Sequence, residues 1–404
     1  MTDLARRAPG PSAKFVVLMG AMAALPAVTT DMYLPSLPVV ATELDTTAAL
    51  VQGTITGVLI GGGVGQLLIG PLSDRYGRRR PVMIGVLIHV ITSVLCIFAA
   101  GIVPLLVLRV IQGVGNAAAM TTAMAVIRDR YTGATASAII SRLMLVIGVA
   151  PLLAPTAGSF IADVAGWRAI FAVLALLGAG LMLVMWRFLP ETLPPARRRR
   201  EGVGGALRSY RVLLRDRQFI ALAMVPGLVF GALMSYVAGS PFVFQQQYGL
   251  SERGFALLFA INGIGLVIGA QVNASLVRRF EPLHIMRVSA PLSLLLALIL
   301  LVITTLDVGG LAAIVVPLWL LLAVNSVLPP NAGALALSRH GERAGAAAAL
   351  IGAIQSGLAG LISPLTGVVG EDGQAMASVI TAVMILTILV LAVGTPAYRS
   401  QKEQ

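Results

Sequence analysis

The chain has 404 residues, of which 57% are hydrophobic and 11% are charged, and its formal net charge is +12. Soluble domains carry about 25% charged residues, so the composition excludes an ordinary soluble domain and predicts a membrane protein. A single cysteine, Cys96, excludes an intrachain disulfide.

Twelve apolar segments predict twelve membrane-spanning helices, because a helix needs roughly 20 apolar residues to cross a bilayer. They lie near 15–37, 48–70, 81–100, 102–126, 136–161, 168–189, 218–243, 253–275, 283–305, 309–332, 345–368 and 374–396. The first is too long for the apolar region of a signal peptide and lacks a cleavage site, so we expect it to be retained as a helix.

A segment rich in Pro, Gly and Arg divides these helices into two groups of six. We therefore predict an all-α integral membrane protein made of five parts. They are an N-terminal tail (1–14), a six-helix bundle (15–189), a linker (190–217), a second six-helix bundle (218–396) and a C-terminal tail (397–404).

The arginines and lysines are distributed unequally between the two sides of the membrane. With twelve spans, both termini and five loops share one side, which receives nearly all of the basic residues, among them Arg6, Arg7, Lys14, Arg197 to Arg200, Arg399 and Lys402. The opposite side has only Arg168 and Arg253, together with seven acidic residues. The positive-inside rule predicts cytoplasmic termini. Because the basic charge is spread over many loops, a nucleic-acid partner is not expected.

A weak internal repeat relates the two halves. The segment GNAAAMTTA (115–123) aligns with PNAGALALS (330–338), which matches Asn116 with Asn331. Internal repeats are typical of secondary transporters, whose substrate site lies between the repeats near the middle of the membrane.

The loop GPLSDRYGRRRPVMIG (70–85) carries an ordered charge pattern. Gly70 is expected to end the preceding helix, and Asp74 to accept hydrogen bonds from a neighbouring helix start. A plain turn with positive-inside arginines is the alternative. The pattern resembles the signature loop of the major facilitator superfamily, which implies the major facilitator fold and a gating role on the cytoplasmic side for Gly70, Asp74, Arg75, Gly77, Arg78 and Arg79.

The fourth span places Arg109, Gln112 and Asn116 on one helix face. An arginine within a span predicts a functional site, because it is costly unless it has a cavity or a partner. The alternative is that Arg109 lies near the inner end of its helix and extends to the interface. The R-x-x-Q-G-x-G pattern resembles the span-4 motif of the superfamily, which implies a role for Arg109 in proton coupling.

The fifth span places Gly148, Pro151, Pro155 and Gly158 on one face, where prolines bend a helix and glycines allow close packing. This arrangement favours a gating role, and ordinary small-residue packing is the alternative. It resembles the antiporter signature of the superfamily, but Ala154 and Ser159 replace glycines that are usual there.

Asp31 ends the first apolar run, in the segment TTDMYLPSLP (29–38). This segment resembles the first-span signature of the bicyclomycin/chloramphenicol-florfenicol resistance branch of drug:proton antiporters. So do WRAIF (167–171), FLPETL (188–193), SPFVF (240–244), YGLS (248–251), LPPNAGALAL (328–337) and 345–355. The resemblance implies that Asp31 binds proton and substrate in turn, since burial favours the neutral form of a carboxylic acid. The alternative is a local cap near the outer interface.

The predicted substrate pocket is mostly apolar with a few polar anchors. Its candidate residues are Asp31, Tyr33, Gln112, Asn116, Tyr236, Phe242, Asn262, Asn325, Asn331 and Gln355, with Met32, Met120 and Met234 as adaptable apolar contacts.

The sequence and the resemblance together predict a proton-driven exporter of small amphipathic antimicrobial compounds in the bacterial inner membrane. We expect a monomer with no cofactor or metal, driven by the proton gradient. A proton-coupled uptake symporter and an exporter of a native metabolite are alternatives. An enzyme or a sensor is disfavoured, because the sequence has no phosphate-binding loop, metal cluster or nucleophile–base pair.

Overall fold

The computed structural model describes residues 12–131, 133–198 and 202–395. The side chains of 133, 134, 137, 138, 141, 144–152, 202 and 203 lie outside the description. Most of the two predicted tails, including Arg6, Arg7, Arg399 and Lys402, also lies outside it, as do Arg199 and Arg200 of the linker.

Seven helices form the N-terminal half. They are α1 (Ala13–Asp31), α2 (Leu37–Glu43), α3 (Ala48–Tyr76), α4 (Arg79–Ile97), α5 (Ile102–Arg130), α6 (Gly133–Ala165) and α7 (Trp167–Phe188). A 3-10 turn, Leu34–Ser36, joins α1 to α2, where Pro35 and Pro38 remove backbone donors and interrupt the helix. The first predicted span therefore continues as a broken helix to Glu43.

The linker contains α8 (Gly202–Leu213), which the Pro, Gly and Arg content did not predict. The C-terminal half follows as α9 (Arg217–Pro241), α10 (Glu252–Leu276), α11 (Pro282–Leu306), α12 (Gly310–Asn325), α13 (Leu328–Ser338), α14 (Ala344–Ile362), α15 (Leu365–Val369) and α16 (Gly373–Gly394). The breaks between α12 and α13, and between α14 and α15, lie beside Pro329, Pro330 and Pro364.

Eleven helical segments of the described chain are long and apolar enough to cross a membrane, with α1–α2, α12–α13 and α14–α15 each counted as one. The helix α6 has 33 residues and is a twelfth helix long enough to span the membrane. The predicted fold, twelve spanning helices in two six-helix bundles, is confirmed.

Helix α3 extends beyond its predicted end. Gly70 lies inside the helix, and the last residue is Tyr76. The chain turns at Gly77, whose φ of +94° suits glycine far better than any residue with a side chain. The prediction that Gly70 ends the helix was therefore wrong.

Small residues set the closest helix contacts of the N-terminal half. A Cβ atom on Gly61 of α3 would lie 1.9 Å from the carbonyl oxygen of Val110 in α5. A Cβ on Gly113 of α5 would lie 2.2 Å from the carbonyl oxygen of Val58. The α3 and α5 backbones therefore touch, as is typical of helix packing in membranes.

The two halves meet along α3 with α14 and along α6 with α10. One end of the bundle carries Arg75, Arg79, Arg128 and Arg208 on loops, helix ends and α8; we call it the arginine-rich end. The far end, which carries Glu43, Asp163 and Arg253, is called the opposite end.

Candidate functional site

A cavity of about 980 Å³ lies between the two halves. Its deep part is lined by Asp31, Asn116, Tyr236 and Phe259. From there the lining continues to the arginine-rich end, where it includes the exposed side chains Arg128, Glu342 and Arg343. The cavity therefore gives a solvent route from that end to the interior of the bundle.

The opposite end of the bundle is closed by contacts between the halves. Arg253 Nε lies 2.9 Å from Asp163 Oδ2, which joins α10 to α6. Gln245 Nε2 donates to the Pro35 carbonyl at 3.0 Å, and the Gly367 N–H donates to Gln52 Oε1 at 3.0 Å. As far as the described residues show, the cavity thus opens only at the arginine-rich end, as one state of an alternating-access cycle requires.

Asp31 lies within its span and not at a membrane boundary. The span Ala13–Glu43 has 31 residues, and both α2 and the turn Leu34–Ser36 follow Asp31. The residue is only 6% exposed, and the exposed part faces the cavity. The alternative of a local cap near the interface is therefore wrong.

The Asp31 carboxylate has no hydrogen-bond donor and no cation within ion-pair distance among the described residues. The two threonines before it do not reach it, because Thr29 Oγ1 donates to the Leu25 carbonyl and Thr30 Oγ1 to the Pro26 carbonyl. A buried acid without protein partners is available to a proton or to a ligand.

Arg109 is fully buried between two aromatic rings. Its guanidinium carbon lies 5.2 Å from the Tyr33 ring centroid and 5.6 Å from that of Phe171. Nη1 donates to Gln112 Oε1 at 2.7 Å and to the Thr29 carbonyl at 3.3 Å. Nε and Nη2 have no hydrogen-bond partner among the described residues. No carboxylate of the described residues forms an ion pair with it, so Arg109 and Asp31 are not paired in this state.

The alternative placed Arg109 near the inner end of its helix, but the structure places it nearer the opposite end of the bundle. It is the eighth residue of α5, whose start belongs to the opposite end. At about 1.5 Å per residue it is ~10 Å from that end. It is 0% exposed, so the alternative in which it extends to the inner interface is wrong.

The polar residues predicted to share one face of α5 lie in two different environments. Gln112 Nε2 donates to Ser93 Oγ at 2.7 Å and lies away from the cavity, between α5 and α4. Asn116, one helical turn further, lines the cavity, and neither of its amide atoms makes a hydrogen bond of standard length to a described residue, although its side chain lies near that of His89. Asn116 is thus available to a ligand, whereas Gln112 orients Arg109.

Four of the predicted substrate residues, Asp31, Asn116, Tyr236 and Gln355, line the cavity, as do Met120 and Met234. The others lie outside the lining. Asn262 Nδ2 donates to Tyr236 Oη at 3.0 Å, and Asn331 Nδ2 donates to Asn273 Oδ1 at 2.7 Å. Asn262 therefore orients Tyr236, and Asn331 orients Asn273. Tyr33, Phe242, Asn325 and Met32 are buried in packing contacts.

The aromatic wall of the C-terminal half was predicted only in part, since sequence reasoning named Tyr236 but missed Phe259 and Phe230. The rings of Tyr236 and Phe259 stack with centroids 5.5 Å apart and an interplanar angle of 11°. Both line the cavity, with Phe230 beside them. Phenylalanines are ordinary in apolar spans, so only the tertiary structure identifies this wall. Gln66 was also missed, although a glutamine within an apolar span was a usable signal.

The arginine-bearing loop after α3 is bound to its own half. Arg78 Nη1 lies 2.6 Å from Asp74 Oδ1, and Arg78 Nε lies 2.8 Å from Asp129 Oδ2. Thr192 Oγ1 donates to the same Asp129 oxygen at 3.0 Å. Arg75 is exposed. In this state the loop therefore clamps α3 to α5 and makes no ion pair with the described residues of the other half.

Glu191, and not Asp74, accepts hydrogen bonds at the start of α4. Its carboxylate receives the Arg78 N–H at 2.8 Å, the Arg79 N–H at 3.3 Å and the Leu193 N–H at 3.0 Å. Burial raises the pKa of Glu191, but these N–H groups outweigh burial and hold it below its usual value. The carboxylate is therefore ionised at neutral pH, where it favours the helix N-terminus.

The glycine and proline face of the fifth span is described only in part. Gly158 of α6 lies so close to α1 that a Cβ would be 1.8 Å from the Met32 carbonyl oxygen. Pro155 is buried. Gly148 and Pro151 lie outside the residues whose side chains are described. The helix runs unbroken from Gly133 to Ala165, and Gly158 packs it directly against the residue after Asp31.

The family model described as Major Facilitator Superfamily matches residues 18–364. The chain belongs to this superfamily. Its architecture is that of known members: a D-xylose–proton symporter structure superposes with a TM-score of 0.75 at 18% identity, covering 96% of this chain and 98% of that one. The likeness at this identity shows the fold alone. Membership in the superfamily also establishes that the protein is a membrane transporter and not an enzyme.

Curated relatives give the branch of the superfamily. An uncharacterized MFS-type transporter of Bacillus subtilis is 34% identical, covering 87% of this chain and 88% of that protein. A chloramphenicol resistance protein of Pseudomonas aeruginosa is 30% identical, covering 76% and 72%. A bicyclomycin resistance protein homolog of Haemophilus influenzae is 27% identical, covering 93% and 94%. The chain thus falls in the bicyclomycin/chloramphenicol resistance branch, as its motifs indicated.

Proposed function

We propose that this transporter exports small amphipathic antimicrobial compounds in exchange for protons, with Asp31 binding proton and substrate in turn. The observation that carries the proposal is the Asp31 carboxylate, buried within a span, facing a cavity of about 980 Å³ and without a described protein partner. The names of the resistance relatives support the choice of substrate class.

The proposed cycle places the arginine-rich end in the cytoplasm of a bacterial cell, with both termini there, as the positive-inside rule favours. In the state seen here, substrate entering from the cytoplasm displaces the proton of Asp31, which leaves through the same opening. The halves then rock, the opposite end opens, and a proton from outside displaces the substrate. One acid that cannot hold both ligands is enough to couple the two movements. The energy source is the proton gradient, and the cycle uses no cofactor.

The lining favours neutral or cationic substrates that contain an aromatic ring. Asp31 is the only charged side chain among the described residues of the deep cavity, since the other charged lining residues lie at the arginine-rich end. An anion would meet an unpaired carboxylate there. The stacked rings of Tyr236 and Phe259 offer a flat apolar surface on the other half.

A drug-tolerance assay tests the proposed function. Expression in a drug-sensitive bacterial host is expected to raise tolerance to at least one of chloramphenicol, florfenicol and bicyclomycin, and to lower its accumulation in the cells. The control is Asp31→Asn at equal membrane abundance. Unchanged tolerance and accumulation across a broad panel would reject export, and increased accumulation would indicate an uptake symporter.

Phe259→Leu is expected to weaken the binding of aromatic substrates selectively. Leucine keeps the side chain apolar but removes the ring, and an aromatic pair contributes about 0.5–1.5 kcal/mol beyond its buried area. The KM of an aromatic substrate should rise about two- to tenfold with kcat unchanged, as transport kinetics in proteoliposomes would show.

The matched controls for this substitution are an aliphatic cation as substrate and the surface variant Phe98→Leu, since Phe98 is 75% exposed. The KM of Phe259→Leu for the aliphatic cation and the KM of Phe98→Leu for the aromatic substrate should both equal the wild-type values. An equal loss for aromatic and aliphatic substrates would show that Phe259 supports packing and not substrate selection.

A further inference from the structure

The linker helix α8 has two distinct faces. Its inner face contacts α3 of one half and α14 of the other. Tyr210 is buried there, and its hydroxyl donates to the Leu67 carbonyl at 3.3 Å. Gly205, Ala206 and Ser209 line the mouth of the cavity. This face accounts for how α8 is held against the bundle.

The outer face of α8 and of the turn after it is both basic and apolar. It consists of six exposed residues, Leu207, Arg208, Arg211, Val212, Leu214 and Arg215. Leu207 is 60% exposed and Leu214 is 55% exposed. None of the three arginines forms an ion pair with a described residue, so neither the charges nor the apolar side chains are accounted for by packing within the chain.

The position of α8 next to the bilayer is given by its contact with α3. Val64 and Leu68 flank Leu67 and are 47% and 40% exposed. Exposed apolar side chains on a spanning helix contact lipid chains. A helix bound at Leu67 therefore lies beside the lipid-facing surface of α3, at the arginine-rich end.

We propose that the outer face of α8 binds the headgroups of anionic phospholipids. Arginine pairs with phosphate through two parallel hydrogen bonds, and leucine and valine side chains insert at the boundary between headgroups and acyl chains. Basic residues combined with apolar ones on one face are typical of helices that lie in this interface. Charge complementarity favours an anionic lipid surface over the polar surface of a soluble protein.

This contact would connect the lipid composition of the membrane with the cavity mouth. The same helix presents Ser209 and Tyr210 to the cavity and its arginines to the lipid. Lipid binding on the outer face therefore holds α8 at the mouth while the halves stand apart at this end.

A fluorescent probe on the outer face tests the proposal in the full-length protein. Leu207→Cys can be labelled selectively with an environment-sensitive dye, because Cys96 is fully buried. The labelled protein is placed in nanodiscs of phosphatidylcholine, with or without phosphatidylglycerol, and doxyl-lipid quenching of the dye is measured. Three charges near an anionic surface favour partitioning by roughly a hundredfold in total, so quenching should rise clearly with phosphatidylglycerol. It should fall again in about 1 M NaCl, where the Debye length is only ~3 Å.

Two variants decide which residues are responsible. Arg208→Gln/Arg211→Gln/Arg215→Gln should reduce quenching to the level seen in phosphatidylcholine alone. Arg278→Gln/Arg279→Gln, which removes exposed arginines after α10 at the same end, should leave the response unchanged. Equal quenching in both nanodiscs, or a full response of the triple variant, would overturn the proposal. Neither outcome depends on substrate or proton transport, so the proposed function is tested separately.

Discussion

Replacement of Asp31 by asparagine is expected to abolish uphill transport driven by a pH gradient while substrate exchange continues. Asparagine has the size of the protonated acid but cannot release or bind the proton. A gradient of one pH unit supplies about 1.4 kcal/mol per proton, which is a tenfold concentration ratio. The variant should lose that ratio entirely, as measured by substrate accumulation in proteoliposomes with an imposed gradient.

The controls for Asp31→Asn separate coupling from folding. Asp307→Asn makes the same chemical change at an exposed residue at the end of α11, and it should transport as the wild type does. Counterflow of labelled substrate without a gradient should persist in Asp31→Asn. Uphill transport by the variant at the wild-type rate would show that the proton is carried elsewhere.

Replacement of Arg109 by methionine is expected to stop transport without lowering thermal stability. Arg109 is a fully buried cation, and among the described residues two of its nitrogens have no hydrogen-bond partner and no carboxylate lies within ion-pair distance. An arginine within a span costs about 2.5 kcal/mol or more. Replacing such a group with an apolar one is often neutral or stabilising. We expect transport to depend on Arg109 because Nη1 donates to the Thr29 carbonyl, two residues before Asp31.

Two measurements distinguish this positioning role from a structural one. The melting temperature of Arg109→Met in detergent should equal or exceed that of the wild type, while uphill transport is lost. Arg109→Lys should also fail, because one ammonium cannot donate to Thr29 and Gln112 while stacking between two rings. Arg279→Lys is the exposed control. A fall in melting temperature that parallels the loss of transport would make Arg109 a packing residue.

The substrate-induced release of protons gives an independent readout for both residues. Purified wild-type protein should release protons to weakly buffered solution when substrate binds. Asp31→Asn should release none, because the exchanging acid is gone. In Arg109→Met the pH dependence of release should shift, since the acid stays but its surroundings change. A merely structural Arg109 would leave this pH dependence unmoved.

The spans and the key charged residues could be predicted from the sequence because both depend on solvent. A helix needs about 20 apolar residues to cross the lipid, so the twelve segments could be recognised from their apolar composition. Asp31 and Arg109 stood out because ionisable groups are rare in such segments. The helix α8 was not predicted, because its glycines and arginines carry no spanning signal and its packing against α3 and α14 is tertiary.

The lining of the cavity could not be predicted in the same way. Asn116 and Gln112 lie on the same side of α5, yet one faces the cavity and the other binds Ser93. Tyr236 and Phe259 are separated by 22 residues of chain and meet only when α9 packs on α10. Periodicity gives a direction around one helix, but it does not say which neighbour lies in that direction.

The sequence by itself determined the solvent of this protein, its twelve spans and the identity of its one deep acid, because each rests on composition or on local spacing. It indicated the superfamily through motifs that resemble those of that family. Only the tertiary structure decided the depth of Asp31, the separation of Arg109 from it, the aromatic wall opposite, the capping role of Glu191 and the end at which the cavity opens. These depend on how helices distant in the chain pack together, and membrane helices pack through small residues and shape that leave little trace in hydropathy.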